Sequence, residues 1–541
     1  MIKNSKIHLW IGMLMMLFAS IANAKICIQL PNIPTGDFIF EDDISIPSFD
    51  GSNIAANLFT PTKNKPEAGF PAIIFVNSWV LEEHEYIFQA KEFAKNGYLV
   101  LSYSARGWGC SDGEVDVAGE KDMADLSRIV EWLDANTEVD MNNIGIGGIS
   151  YGSGISLMGL AKVPQIKTAV AMSTWGSLVD SLYQHDTARL FWGFFLVSSG
   201  FITADLDPEI AESYFNLLMR RNIPETREWA NERSVSHWVH LINERNAPVY
   251  LANNFGDNLF QPNNILRLFE DLTVPKRLDL NQGSHASAEG FGLVSLENYT
   301  WNNARLWFDY WLKGEENGIM SQNPVTMQVT GTKERVEYSS WPTINGQERK
   351  FFLEPRSMLS DGRLRTSTYD SWWMKSNRIL SGFDTRASTG IPFLSEILEA
   401  HLNFPVKTPL RSINSTNGIF FKSEVLDERL RIRGIPEVTV NVKPSLRQFQ
   451  LNAYLYDVDP NGVGTLITHG PVTRYDAEAN RTQKVNWELV ATAYDIPRGH
   501  RVALAIDTFD ALYAVPTLLP YSLEFKFKSG LNSMLTLPVE E

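Results

Sequence analysis

Apolar and polar positions follow two different rhythms along this chain. Near the N-terminus, Ile44 to Ile46 and Ile54 to Phe59 flank Phe49-Asp50-Gly51, which predicts a hairpin around an Asp-Gly turn. Ala72 to Val76 (AIIFV) and Tyr98 to Ser102 (YLVLS) are continuous apolar runs. Such runs suit strands buried on both faces. Between them, Glu85 to Asn96 has helical spacing and stops at Gly97. Lys121 to Ala135 puts Met123, Leu126, Ile129, Val130 and Leu133 on one helical face. Ile144 to Ile149, Ser153 to Ala161 and Thr168 to Met172 continue as strand, helix and strand. This alternation predicts a mostly parallel sheet covered on both faces.

The alternation breaks at about Trp175. Residues 177–246 are aromatic, helical in spacing and poor in strands, which reads as a helical cap inserted into the sheet domain. Pro248 to Ala252 and Lys276 to Leu280 resume the strands, and a closing helix spans Glu297 to Lys313 before Gly314. From Pro324 the helical period disappears. Val325 to Thr330, Lys350 to Leu353, Glu437 to Val442, Leu451 to Tyr456, Lys484 to Ala491 and His500 to Ile506 read as short strands. Strands without helices predict a C-terminal β-sandwich, a jelly roll over residues 324–541. The α/β catalytic domain is expected over residues 25–320.

Length and composition sharpen this picture. At 541 residues the chain is too long for one core. Lys3 and Lys6 precede an apolar run from Ile7 to Ile21, and Ala22-Asn23-Ala24 fits a cleavage site. Residues 1–24 therefore read as a signal peptide, with an exported product, periplasmic or secreted. The run is short for a membrane span, and no membrane contact is expected after cleavage. The formal net charge of −15 argues against nucleic acid or an anionic membrane as partner. Cys27 and Cys110, the two cysteines, leave two readings open: one disulfide, or two unpaired thiols. Asn298, Asn414 and Asn480 each begin a glycosylation triplet. No phosphate loop, dinucleotide fingerprint or metal-ligand spacing appears, so no cofactor is expected. The expected partner is a small ester, amide or peptide substrate.

The sharpest chemical signal is Gly148-Ile149-Ser150-Tyr151-Gly152, set between a strand and a helix. That context is a nucleophile elbow: the glycines permit a tight turn that lifts the Ser150 hydroxyl above the sheet. The Tyr151 N–H at the helix start can face a developing oxyanion. A serine needs a base and a group that orients the base. The chain order for such an elbow is serine, acid, histidine. His285, in the loop after the Lys276 to Leu280 strand, meets that order as general base. Asp257 follows the Pro248 to Ala252 strand and is the expected acid, with Asp271 and Asp279 as weaker candidates. The second oxyanion donor is expected from Asn77-Ser78-Trp79, through the N–H of Ser78 or Trp79 or the Trp79 indole. Trp79, Trp175, Phe191, Trp192, Phe194 and Phe195 are candidates for an apolar substrate pocket.

With these residues assembled, the chain resembles the cocaine esterase/X-prolyl dipeptidyl-peptidase family of α/β-hydrolases. The resemblance rests on Asp50-Gly51, Arg106 to Gly113 (RGWGCSDG), Gly148 to Tyr151 and Trp307 to Gly314 (WFDYWLKG). Leu455 to Pro460 (LYDVDP) and Arg498 to Arg501 (RGHR) extend it into the C-terminal part. It implies an α/β-hydrolase core, an inserted helical cap and a C-terminal jelly roll. It implies a triad of Ser150, Asp257 and His285 that hydrolyses esters or amides through an acyl-enzyme. Members place a Tyr in the loop where this chain has Trp79, and G-x-S-Y-x-G becomes Gly148 to Ser153 (GISYGS). Three functions follow as alternatives: ester hydrolysis, X-Pro dipeptide release, or recognition of a carbohydrate or surface partner through the β domain. A free amino terminus would need carboxylates near the cap, for which Asp180, Asp186, Asp205, Asp207 and Glu209 are available.

Overall fold

The computed structural model describes residues 27–540, apart from 32, 35, 295–296, 342–346, 358–359 and 393. The expected signal peptide lies outside the described residues. Among these residues no helix is long and apolar enough to cross a membrane.

The first sheet contains β1 (Ile33–Pro34), β2 (Phe38–Pro47), β3 (Asn53–Pro61), β4 (Phe70–Val76), β5 (Leu99–Tyr103) and β6 (Val139–Ile149). It continues through β7 (Ile166–Met172), β8 (Val249–Asn254), β9 (Lys276–Asn281), β10 (Val325–Gln328) and β11 (Arg335–Tyr338). The spatial order is β1-β2-β3-β5-β4-β6-β7-β8-β9-β10-β11. From β5 to β10 neighbouring strands are parallel. The apolar run of β4 is fully buried from Ala72 to Val76, because helices cover both faces of a parallel sheet. The helix Glu120–Asn136 buries the stripe of Met123, Leu126, Ile129, Val130 and Leu133. The closing helix Tyr299–Lys313 is capped by Asn298, whose side chain accepts the Trp301 N–H, and ends at Gly314 with φ +72°. Asn298 thus serves as a helix cap, a role that competes with glycosylation there.

Five α-helices between Leu178 and Glu244 fill the interval from β7 to β8. They stand over the carboxyl ends of the strands, where open α/β sheets place their sites. The C-terminal part builds a second, mainly antiparallel sheet system with its own core, including Phe421, Val440, Leu455, Trp487 and Leu535.

Two features depart from the sequence reading. Val325–Gln328, read with the C-terminal strands, lies parallel to β9 and extends the first sheet. Its Val325 and Met327 side chains are buried in the first core, so burial on that edge outweighs its position in the chain. Leu394–Leu402 forms a helix inside the region expected to be all strand. Cys27 and Cys110 are joined by a disulfide with Cα atoms 4.8 Å apart, which closes the alternative left open above.

Candidate active site

Ser150 occupies the turn between β6 and the helix Tyr151–Lys162, with φ 55° and ψ −116°. A non-glycine residue held there is strained. The turn persists because its surroundings leave no alternative. The Ser150 N–H donates to Met172 O at 2.9 Å. A Cβ on Gly152 would lie 2.0 Å from Val76 O, and one on Gly148 would lie 2.6 Å from the Gly152 carbonyl carbon. Both glycines are therefore required by close backbone approach.

The structure brings Ser150, His285 and Asp257 into one hydrogen-bonded chain. Ser150 Oγ lies 2.7 Å from His285 Nε2, and His285 Nδ1 lies 2.8 Å from Asp257 Oδ2. Asp257 is fully buried at the end of β8. Its Oδ1 accepts the N–H groups of Leu259 and Phe260 at 2.9 and 2.8 Å. The His285 ring packs edge-on against Phe260 and Trp192. The other candidate acids are placed elsewhere. Asp279 accepts hydrogen bonds from Tyr250, Asn303 and Thr326 within the core, and Asp271 is exposed at a helix end.

The oxyanion candidates separate. The backbone N–H groups of Tyr151 and Trp79 carry no hydrogen bond among the described residues. Ser78 is corrected: its N–H donates to Glu85 Oε2 at 2.6 Å and is unavailable. The Trp79 indole is corrected likewise, since its Nε1–H donates to Leu196 O and Ser199 Oγ of the cap, each at 3.2 Å. The Trp79 ring instead stands edge-on between Trp108 and Tyr151 as a wall.

Two apolar chambers meet at Ser150, and Trp79, Ser150 and Leu196 line both. The cap chamber runs under the inserted helices past Trp175, Leu182, Leu217, Trp229 and Phe260. The second chamber opens beside His285 and is lined by Phe191, Trp192, Phe195 and Phe291. Phe194, expected in the pocket, lines neither chamber and is 51% exposed, because one helical step, about 100°, separates it from Phe195. None of Asp180, Asp186, Asp205, Asp207 and Glu209 lines a chamber.

Several supporting residues escaped the sequence reading. Ser173, at the end of β7, accepts the Ala286 N–H at 3.0 Å and the Asn254 amide at 2.9 Å, steadying the His285 loop. Buried Glu289 accepts from the same Asn254 amide at 2.9 Å, and its carboxyl is pushed up by desolvation. Glu396, from the helix Leu394–Leu402, accepts the Asn258 side-chain amide next to Asp257. Burial raises the Glu396 carboxyl to about 8. Only Ser173 carried a signal, its place at a strand's carboxyl end.

Two family models match the chain. One, described as X-Pro dipeptidyl-peptidase (S15 family), spans residues 50–287. The other, described as the X-Pro dipeptidyl-peptidase C-terminal non-catalytic domain, spans residues 317–532. A cocaine esterase from a Rhodococcus species is 23% identical over 548 residues, covering 87% of this chain and 91% of its own. A CocE/NonD family hydrolase from Staphylococcus aureus shares the fold with a TM-score of 0.72 at 13% identity, covering 96% of this chain and 97% of its own. An aminopeptidase from a marine sediment Thaumarchaeota archaeon does so with a TM-score of 0.71 at 13% identity, covering 96% and 100%.

Proposed function

Since the chain belongs to the X-Pro dipeptidyl-peptidase (S15) family, whose two models together span most of it, we propose that it is an exported serine hydrolase acting on esters through Ser150. The observation that carries this reading is the unbroken hydrogen-bond chain from Ser150 through His285 to Asp257. In this reading His285 Nε2 takes the Ser150 proton as Oγ attacks the acyl carbon. Asp257 holds the Nδ1–H tautomer and stabilises the imidazolium that forms. The N–H groups of Tyr151 and Trp79 receive the oxyanion. His285 then protonates the leaving oxygen, and water cleaves the acyl-enzyme by the reverse path.

The cap chamber favours an ester acyl group over an N-terminal dipeptide. A free ammonium group needs a carboxylate partner when it leaves water. The cap chamber's charged side chains are Arg189 and Arg227, which would repel it. The disulfide supports an oxidising compartment and therefore export. The test is a fluorophosphonate probe applied to the wild type, Ser150→Ala and His285→Ala, followed by turnover of nitrophenyl esters and Gly-Pro-nitroanilide. Labelling and ester turnover in the wild type alone are expected. Dominant anilide turnover would replace the ester reading with dipeptidyl-peptidase action, and absence of labelling and turnover would sink the serine hydrolase.

A further inference from the structure

Glu85 stands at the wall of the His285 chamber and has no part in the reaction described so far. Its carboxyl grips Ser78 at two points. Oε2 accepts the Ser78 N–H at 2.6 Å, and Oε1 lies 2.7 Å from Ser78 Oγ. The same Ser78 hydroxyl is 3.0 Å from Ile149 O, the carbonyl preceding the nucleophile. Ile149 N–H in turn donates to Tyr86 O–H at 2.9 Å. One side chain therefore ties the loop that carries the Trp79 N–H to the strand end that carries Ser150.

We propose that Glu85 is a positioning residue of the oxyanion site, acting through Ser78, and that its neutral form is the competent one. The inference rests on the serine hydrolase reading above. When Glu85 is protonated, every group in the network is matched. The carboxylic O–H donates to Ser78 Oγ, the Ser78 hydroxyl donates to Ile149 O, and the Ser78 N–H donates to the remaining carboxyl oxygen. When Glu85 is ionised, the Ser78 hydroxyl must turn to the carboxylate and release Ile149 O. A negative charge then also borders the chamber in which the oxyanion forms, where low dielectric magnifies its repulsion.

The surroundings permit this protonation to be felt. Burial raises the Glu85 carboxyl to about 7 against the opposing hydrogen bonds of Ser78 and Tyr86. His285 is the other ionisable acid or base among the described residues lining its chamber. On its own segment, His84 pairs with Asp42 and Glu82, and Glu83 binds Ser104.

The experiment compares wild type, Glu85→Gln and Glu85→Ala in kcat and KM for a nitrophenyl ester from pH 5.5 to 9, with fluorophosphonate labelling of Ser150 as control. Gln reproduces the neutral network: its carbonyl accepts the Ser78 N–H and its amide donates to Ser78 Oγ. At pH 6, Glu85→Gln is expected within about three-fold of wild type. Glu85→Ala is expected to lose at least about ten-fold in kcat with little change in KM, less than the 10²–10³-fold cost of deleting an oxyanion donor. Above pH 7, wild-type kcat is expected to fall while that of Glu85→Gln does not. Parallel pH profiles for wild type and Gln, or full kcat in Ala, would overturn this inference alone. A wild type that neither labels nor turns over would overturn the serine hydrolase reading and this inference with it.

Discussion

Replacing Asp257 with Asn is expected to disable the site while leaving the fold in place. The reason is the division of labour between its two oxygens. Oδ1 accepts two backbone N–H groups, from Leu259 and Phe260. An amide nitrogen cannot occupy that side, because it would oppose two donors with a third. The Asn carbonyl must therefore stay there, and the NH₂ must face His285 Nδ1. It then donates to Nδ1, which forces the ring proton onto Nε2, the nitrogen 2.7 Å from Ser150 Oγ. A protonated Nε2 cannot accept the serine proton. The same inversion in a serine-protease triad lowers kcat about 10⁴-fold, which corresponds to about 5.5 kcal/mol of lost transition-state stabilisation. Stability should change little, because both backbone N–H groups keep their acceptor. Asp257→Ala is the contrasting control. It strands two buried donors at about 1–3 kcal/mol each and is expected to lower the melting temperature as well as activity. The assay is nitrophenyl ester turnover with a thermal melt of each variant. Turnover of Asp257→Asn within ten-fold of wild type would refute the tautomer argument.

Three further outcomes are expected. Leu182→Trp fills the cap chamber and should lower the rate on butyrate relative to acetate esters by about ten-fold or more, the discrimination of a methylene or two in an apolar pocket; an unchanged chain-length profile would remove the acyl group from that chamber. Arg106→Ala breaks a buried two-point pair with Asp125, at 2.7 and 2.8 Å, and should cost about 3–5 kcal/mol in denaturant unfolding; a loss below 1 kcal/mol would contradict it. Cys27→Ser opens a disulfide spanning 83 residues and should lower unfolding free energy by about 2–4 kcal/mol, an effect that disappears if wild type is measured under reductant.

The elbow and its two partners were legible because each follows a sheet strand, and position at a strand's carboxyl end is itself a sequence pattern. β10 was not legible in this way. Its VTMQ sequence suits either sheet, and its docking beside β9 depends on an edge that only the folded core presents. Glu85 was hidden for a different reason. It sits in the polar segment Glu82 to Glu85 (EEHE), which reads as a solvated helix start, and its place on a chamber wall shared with the cap and the His285 loop is set only by the fold. Trp79 was marked as a departure from the family pattern, but its indole was free on paper and bound in the fold. The donor's partner is a carbonyl at Leu196, 117 residues away, and no local spacing reports that distance.

The same non-local logic explains how the C-terminal part reaches the chemistry. Asn258 follows Asp257 directly. Its carbonyl accepts a hydrogen bond from Arg189 of the cap at 2.6 Å, and its side chain donates to Glu396. Arg189 is buried and lies over the Tyr513 ring, and the Tyr513 hydroxyl is 2.8 Å from His469. The cap segment is pinned to the same region by Phe191 N–H to Leu512 O and by Ala514 N–H to Ala188 O. Asp257 can hold one rotamer only if the backbone beyond it is immobile, and the groups that immobilise it come from the cap and from residues beyond 390. The β-rich part is therefore a structural component of the site even though it supplies none of the three hydrogen-bonded residues at Ser150.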